Sequence, residues 1–263
     1  MEILAYIASA FIGISLGLTG GGGSILTVPV MVYLFGMDPL PATSYSLFIV
    51  GFTSLAGAFL NYRQGLVQVK TAFLFGLSSI ASVWLTRKFL IPVIPQQIFT
   101  TDHFVFTSHM LLMMLFAVLM VAAAGSMIKG RNEEKEAGAE DNGLNLPKMV
   151  VYGIAIGFTT GLLGAGGGFL LIPTLVVLMR VPMKEAIGTS LFIIALNSLI
   201  GFTADVGHFK MDWTLLLSVT SLAIAGVFAG SVIGKYINGN KLKTGFGWFV
   251  LIMGIFILIK ELL

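Results

Sequence analysis

Two runs of glycine carry the chemistry this sequence has to offer. Gly20, Gly21, Gly22 and Gly23 with Ser24 form one, and Gly164, Gly166, Gly167 and Gly168 form the other. Apolar sequence that reads as helix flanks each run, so each run ends one helix and begins another. The first amides of the new helix then point into the break. With the positive end of the helix dipole they make a site for an anion that needs no charged side chain. Glycine suits the task because it admits positive φ and puts no side chain in the way of the ligand. Pro29 and Pro173 come early in the second helices and free the carbonyls of Ile25 and Phe169 near the same breaks. A phosphate-binding loop does not fit, because Gly22-Gly23-Ser24 lacks the lysine that such a loop needs.

Neutral donors recur at matched places downstream. Thr43, Ser44 and Ser46 stand against Thr189 and Ser190, and Thr53 and Ser54 against Asn197 and Ser198. Many Ser and Thr in apolar helices bond back to their own carbonyls. The others suit the oxygens of a sulfonate, a sulfite or a carboxylate. The candidate binding set joins both glycine runs and Ser24 to Ser44, Ser46, Thr189, Ser190 and Asn197. Asn61 and Asp205 also match in position and read as helix-end caps, with Asp205 and His208 as an alternative proton carrier. Arg63, Arg87 and Arg180 stand near predicted helix ends as interfacial anchors, so no Arg or Lys is expected to be indispensable for binding.

The elements that must hold these residues are membrane helices. Of 263 residues, 57% are apolar and 10% charged, against about a quarter charged in a soluble domain. Nine of the charges fall between Lys129 and Lys148, which leaves charge-free runs such as 3–37, 39–62, 103–128, 149–179, 186–204 and 213–234. A helix needs about 20 apolar residues to span hydrocarbon. Cysteine is absent, no HExxH, GxSxG or intramembrane carboxylate pair exists, and no basic run interleaves with aromatics. These absences argue against an enzyme, a bound metal or other cofactor, and a nucleic-acid partner. Met110, Met113, Met114 and Met120 read as apolar packing, and Gly226, Gly230 and Gly234 as a helix-packing face.

The chain repeats itself. At an offset of 144, residues 17–70 align with 161–214 without a gap, and 17 of the 54 positions are identical. The identities include Gly20/Gly164, Gly22/Gly166, Gly23/Gly167 and Pro29/Pro173, which composition alone does not produce. The expected organisation is a first repeat over 1–128, a charged linker over 129–147 and a second repeat over 148–263. Each repeat holds a broken segment (3–18 plus 25–36, and 149–163 plus 169–180) and three helices. These helices are expected near 43–61, 70–91 and 104–128, then near 184–204, 212–234 and 241–262.

Basic residues decide between two topologies. If each broken segment crosses once, eight Lys and Arg face one side and seven the other. If each folds back, eleven share the face of the central linker and Arg87, Lys88, Lys210 and Lys260 take the other. Only the second obeys the positive-inside bias. The expectation is an all-α polytopic protein of the plasma membrane, with two inverted-topology repeats, a cytoplasmic linker and both termini outside. Such symmetry is typical of secondary transporters.

GLTGGGGS with its proline, GLLGAGGGF with its proline, and the helix starts PATSYSLF and EAIGTSLF resemble the TauE/SafE sulfite exporter family, also called the toluenesulfonate uptake permeases. The resemblance runs over nearly the whole chain. It implies a permease for small sulfur-containing anions such as sulfite or organosulfonates, with direction undecided. An anion channel and a carboxylate permease are the alternatives. No ATPase motif is present, so a gradient, with protons as one candidate, must drive transport. Nothing in the sequence indicates an oligomer.

Overall fold

The computed structural model describes residues 2–95, 97–101, 104–128, 146–164, 166–179, 181–208, 211–234 and 239–262. Most of the charged linker, Arg180 and Lys210 lie outside them.

The first half opens with α1 (Glu2–Thr19), a 3-10 turn (Gly22–Leu26) and the short α2 (Thr27–Tyr33). Next come α3 (Pro39–Arg63) and α4 (Val69–Leu85), which runs on through a π turn (Thr86–Leu90) and a 3-10 turn (Ile91–Val93). A small antiparallel hairpin, β1 (Gln97–Thr101) with β2 (Phe104–Thr107), leads into α5 (Ser108–Ile128). The second half holds α6 (Leu146–Leu163), the short α7 (Gly168–Pro173) with a π turn (Thr174–Leu178), α8 (Met183–Asp205), α9 (Trp213–Gly234) and α10 (Gly239–Leu262). The expected order of one broken segment and three helices is present in each half. The hairpin is a departure from the all-helical expectation. Residues 104–107, expected at the start of a helix, are β-branched and aromatic and pair as β2 with Gln97–Thr101 instead.

Among the described residues, five helices are long and apolar enough to cross a membrane: Pro39–Arg63, Val69–Val93, Ser108–Gly125, Lys184–Asp205 and Trp213–Gly234. Ala5–Thr19, Gly23–Tyr33 and Pro147–Leu163 are shorter apolar helices. The surface has the character of a lipid-facing one. Phe11, Phe73, Phe59, Phe89, Val151 and Ile252 are exposed, whereas Ser24, Thr27, Ser46, Ser54, Asn197 and Ser198 are wholly or almost wholly buried. Water would reverse that order.

Packing is close, and small residues make it so. α1 lies along α9, α6 along α4, α3 along α8 and α5 along α10. A methyl group at Gly13 would stand 1.9 Å from the carbonyl oxygen of Ala223, and one at Gly230 would stand 2.2 Å from that of Ile14. Gly226 meets Ala10 in the same way, so Gly226 and Gly230 do form the helix-packing face expected of them.

The contacts recur with the halves interchanged. Gly13 meets Ala223, and Gly157 meets Ser79; Gly17 meets Val227, and Gly161 meets Val83. Gly57 touches Leu191 as Gly201 touches Leu47. In every case both partners shift by 144 residues in opposite directions. The sequence repeat is therefore also a repeat of contacts between the halves.

Candidate functional site

The two glycine breaks lie side by side between α3 and α8. Positive φ occurs at Gly20 (75°), Gly164 (65°), Gly166 (66°) and Gly167 (68°), so these positions need glycine. Gly21 differs: its φ of 174° is extended and open to any residue. What requires glycine there is space. A methyl group on Gly21 would lie 3.0 Å from Gly168 Cα, and one on Gly168 would lie 2.5 Å from the Gly21 oxygen.

At each break the chain folds back on the helix it has just left. A methyl group at Gly23 would stand 2.8 Å from the Ile12 oxygen and 2.5 Å from the Leu16 nitrogen. Gly167 stands in the same relation to Ile156 and Thr160. A straight helix would separate residues 12 and 23 by about 16 Å. The breaks are also seated alike, with Gly20 against Ile187 of α8 and Gly164 against Thr43 of α3.

Of the hydroxyls singled out in the sequence, several hold the fold. Ser24 Oγ donates back to the Gly21 oxygen at 2.7 Å, and Thr43 Oγ1 to Leu40 O at 2.7 Å. Ser190 Oγ donates to Gly20 O at 3.1 Å and to Ile187 O at 2.9 Å, tying α8 to the first break. Thr189 Oγ1 accepts the Gln68 N–H at 2.9 Å, where α4 begins. Asn61 Nδ2 donates to Gly57 O within its own helix.

A second group is buried with no protein partner: the hydroxyls of Ser46, Ser54, Ser198, Thr27 and Thr160, and Asn197 Oδ1. Asn197 Nδ2 donates to Ser79 Oγ at 2.6 Å, which turns α8 toward α4. Ser198 adjoins the second break, since a methyl group at Gly166 would lie 3.2 Å from its Oγ. Buried polar atoms are seldom left without a partner. Ser198 beside Gly166 and Thr160 against Gly167 are of this kind, and a polar ligand or water at the second break would complete them.

One feature corrects the sequence reading outright. Arg87 does not anchor the chain at an interface. Its side chain is wholly buried, and Nη1 lies 2.8 Å from Asp205 Oδ2. Ser44 Oγ donates to the same carboxylate oxygen, and Arg87 Nη1 also approaches Ser44 Oγ at 3.4 Å. Asp205 is therefore a partner of Arg87 and not of the exposed His208, whose contact with it is a backbone turn from His208 N–H to Asp205 O. Read locally, Thr86-Arg87-Lys88 before Pro92 resembles an interfacial helix end. The signal that could have found the pair lies in the repeat: Arg87 aligns with Ser231, Asp205 with Asn61 and Ser44 with Gly188. Two opposite charges thus appear where the other half has none. Arg63 behaves as expected, exposed and stacked 4.7 Å from the Phe59 ring centre. Among the described residues no group of three His, Cys, Asp or Glu could hold a metal.

The TauE/SafE sulfite exporter profile matches residues 5–257. The chain belongs to the TauE/SafE family. Its relatives include a probable membrane transporter protein of Xylella fastidiosa (strain 9a5c), 28% identical over 255 residues that cover 95% of this chain and 92% of that protein. Probable membrane transporter protein YdhB of Bacillus subtilis (strain 168) is 23% identical over 244 residues, 92% of this chain and 94% of its own. Probable membrane transporter protein MJ0441 of Methanocaldococcus jannaschii is 29% identical over 119 residues, 43% of this chain and 45% of its own. No solved structure matches. This TauE/SafE protein is a membrane transporter and not an enzyme.

Proposed function

We propose that this TauE/SafE protein is a secondary permease of the plasma membrane that moves small sulfur-containing oxyanions, sulfite or organosulfonates, across the bilayer. The observation that carries the reading is the meeting of two glycine breaks with the partnerless hydroxyls of Ser198 and Thr160 beside the second. Ser46 and Ser54 of α3 and Asn197 Oδ1 of α8 are also buried without partners. In hydrocarbon, irregular backbone survives only where protein or a polar cavity surrounds it. An anion between the breaks meets amides of Gly20–Gly23 and Gly164–Gly168 and the hydroxyls around them. Ser24, Thr189 and Ser190 support it by fixing the breaks and the start of α4. The name of the family supplies the sulfur chemistry.

The two halves, 1–128 and 148–263, act as inverted-topology repeats joined by a cytoplasmic linker, with both termini outside. In this conformation Gly21 and Gly168 are too close to admit a ligand between them. Transport therefore requires the breaks to part toward one side and then the other, as alternating access in an inverted repeat provides. A channel would hold one path open instead.

Reconstitution tests the reading. Proteoliposomes holding the purified protein should take up labelled sulfite or an alkanesulfonate with saturation, and a pH gradient should change the rate if protons are coupled. A panel including carboxylates decides the substrate class. Uptake linear in concentration, accompanied by ionic current, would establish a channel.

A further inference from the structure

Among the described residues, Arg87 is the one whose chemistry the fold leaves unfinished in a way that names a ligand. Its guanidinium is wholly enclosed: α6 and α8 pack on the π turn that carries it, and Ser44 of α3 lies within reach of Nη1. Only Nη1 is engaged, by Asp205 and Ser44. Nε and Nη2 are buried with no partner. Those two nitrogens are neighbours: Nε–H and the adjacent Nη2–H make one edge of the planar group and point the same way. That edge matches two oxygens of a carboxylate, sulfite or sulfonate in a bidentate pair. A buried charged donor without an acceptor is costly. The protein nevertheless keeps two of them aligned on one side chain.

The position fits a transport site. Ser44, which Arg87 approaches, is next to Thr43, and Thr43 is the residue seated against Gly164 of the second break. Thr86, next to Arg87 on the other side, lies against Gly161 just before that break. Asp205 holds Nη1 and so fixes the plane of the guanidinium, while the Nε and Nη2 edge keeps no protein partner. No equivalent exists at the first break, where Ser231, Asn61 and Gly188 occupy the matching positions. Arg87 is the one buried basic side chain among the described residues.

We infer that the Nε and Nη2 edge of Arg87 binds two oxygens of the transported oxyanion, with Asp205 and Ser44 as positioning residues that hold the guanidinium in place. The inference rests on the permease reading and names the docking point within it. One anion binds per chain, although the breaks are two.

Binding to the purified full-length protein tests this, with methanesulfonate and sulfite as probes and choline as the control. The wild type should bind methanesulfonate saturably at one per chain by calorimetry, and choline should not compete. Arg87→Lys keeps a cation beside Asp205 but removes the edge, and should weaken binding at least tenfold. Arg87→Gln with Asp205→Asn removes both charges together, so it leaves no buried ion unpaired and folds if the lysine variant does not. It should lose affinity to the same degree. Affinity within threefold of wild type in either folded variant would overturn the inference, as would two equal sites per chain. So would the absence of oxyanion binding to the wild type, which would mean that internal water completes the edge. Transport separates the two levels. Wild-type uptake of methanesulfonate together with wild-type affinity in Arg87→Lys would sink the Arg87 site and leave the permease reading standing. Failure of the wild type to move any oxyanion would remove the permease reading itself.

Discussion

Gly21 and Gly168 meet backbone to backbone, one from each half of the chain, so closely that a methyl group on Gly21 would press on the Gly168 backbone at 3.0 Å. Gly21 is the useful member of the pair, because its extended backbone accepts any residue. Gly21→Ala therefore acts through bulk alone. It should leave the melting temperature within a few degrees of wild type and lower the initial rate of transport about tenfold, a barrier change of about 1.4 kcal/mol. Uptake assays beside thermal melts check both halves of that statement. Gly166→Val is a poorer probe, since positive φ and contact with Val50 and Ile194 would compromise folding itself.

The buried hydroxyls divide into two kinds, and substitution should separate them. Ser54 and Ser198 make no bond to the protein, so Ser54→Ala and Ser198→Ala should leave stability unchanged or slightly raised. If they serve the anion, each should weaken binding about ten- to a hundredfold, the worth of a hydrogen bond to a charged group at about 1.5–3 kcal/mol. Thr189→Val should do the opposite. It strips the Gln68 N–H of its acceptor and should cost about 1–3 kcal/mol of stability, with a smaller effect on affinity. Denaturation and titration on the same samples provide the comparison.

Close helix contact predicts a sharp contrast between two glycines. Gly230→Val drives a branched side chain into the Ile14 carbonyl and should destabilise by about 3 kcal/mol or more, because backbone must move. Gly36 has a φ of 68° but open space around it. Gly36→Ala should therefore cost only the conformational penalty, about 1–2 kcal/mol. Equal losses in the two variants would mean that α1 and α9 do not pack through glycine.

Topology and surface charge can be read together. A single cysteine at Ala137 should be labelled from the cytoplasmic side, and cysteines at the termini from outside. The absence of native cysteine leaves no background. Arg63→Gln, at an exposed helix end, should change affinity no more than a few-fold. A terminus labelled from the same side as Ala137 would refute the inverted arrangement.

Much of the fold was legible because glycine and proline carry position-specific meaning. Gly20 and Gly164 match in sequence and take the same left-handed backbone, each against the matching residue of the opposite half. Helix ends were read to within a few residues, since apolar runs end where charge begins. Arg87 was misread for a physical reason. A basic residue near a proline has the same local appearance whether it meets lipid headgroups or a carboxylate 118 residues away. Only the crossing of α4 with α8 distinguishes the two. The hydroxyls were legible as a set, but their division was not, because whether Ser190 or Ser198 finds a carbonyl depends on sub-ångström placement of a neighbouring helix.

The interchange of contacts between the halves also says something about assembly. A contact between residue i of one half and residue j of the other that returns with the roles reversed has the form of an isologous interface. The first half thus packs on the second as a protomer packs on its partner. Joining two such halves in one chain raises the effective concentration of each for the other. The two segments 1–128 and 146–263, expressed as separate chains in one membrane, carry between them every contact described here.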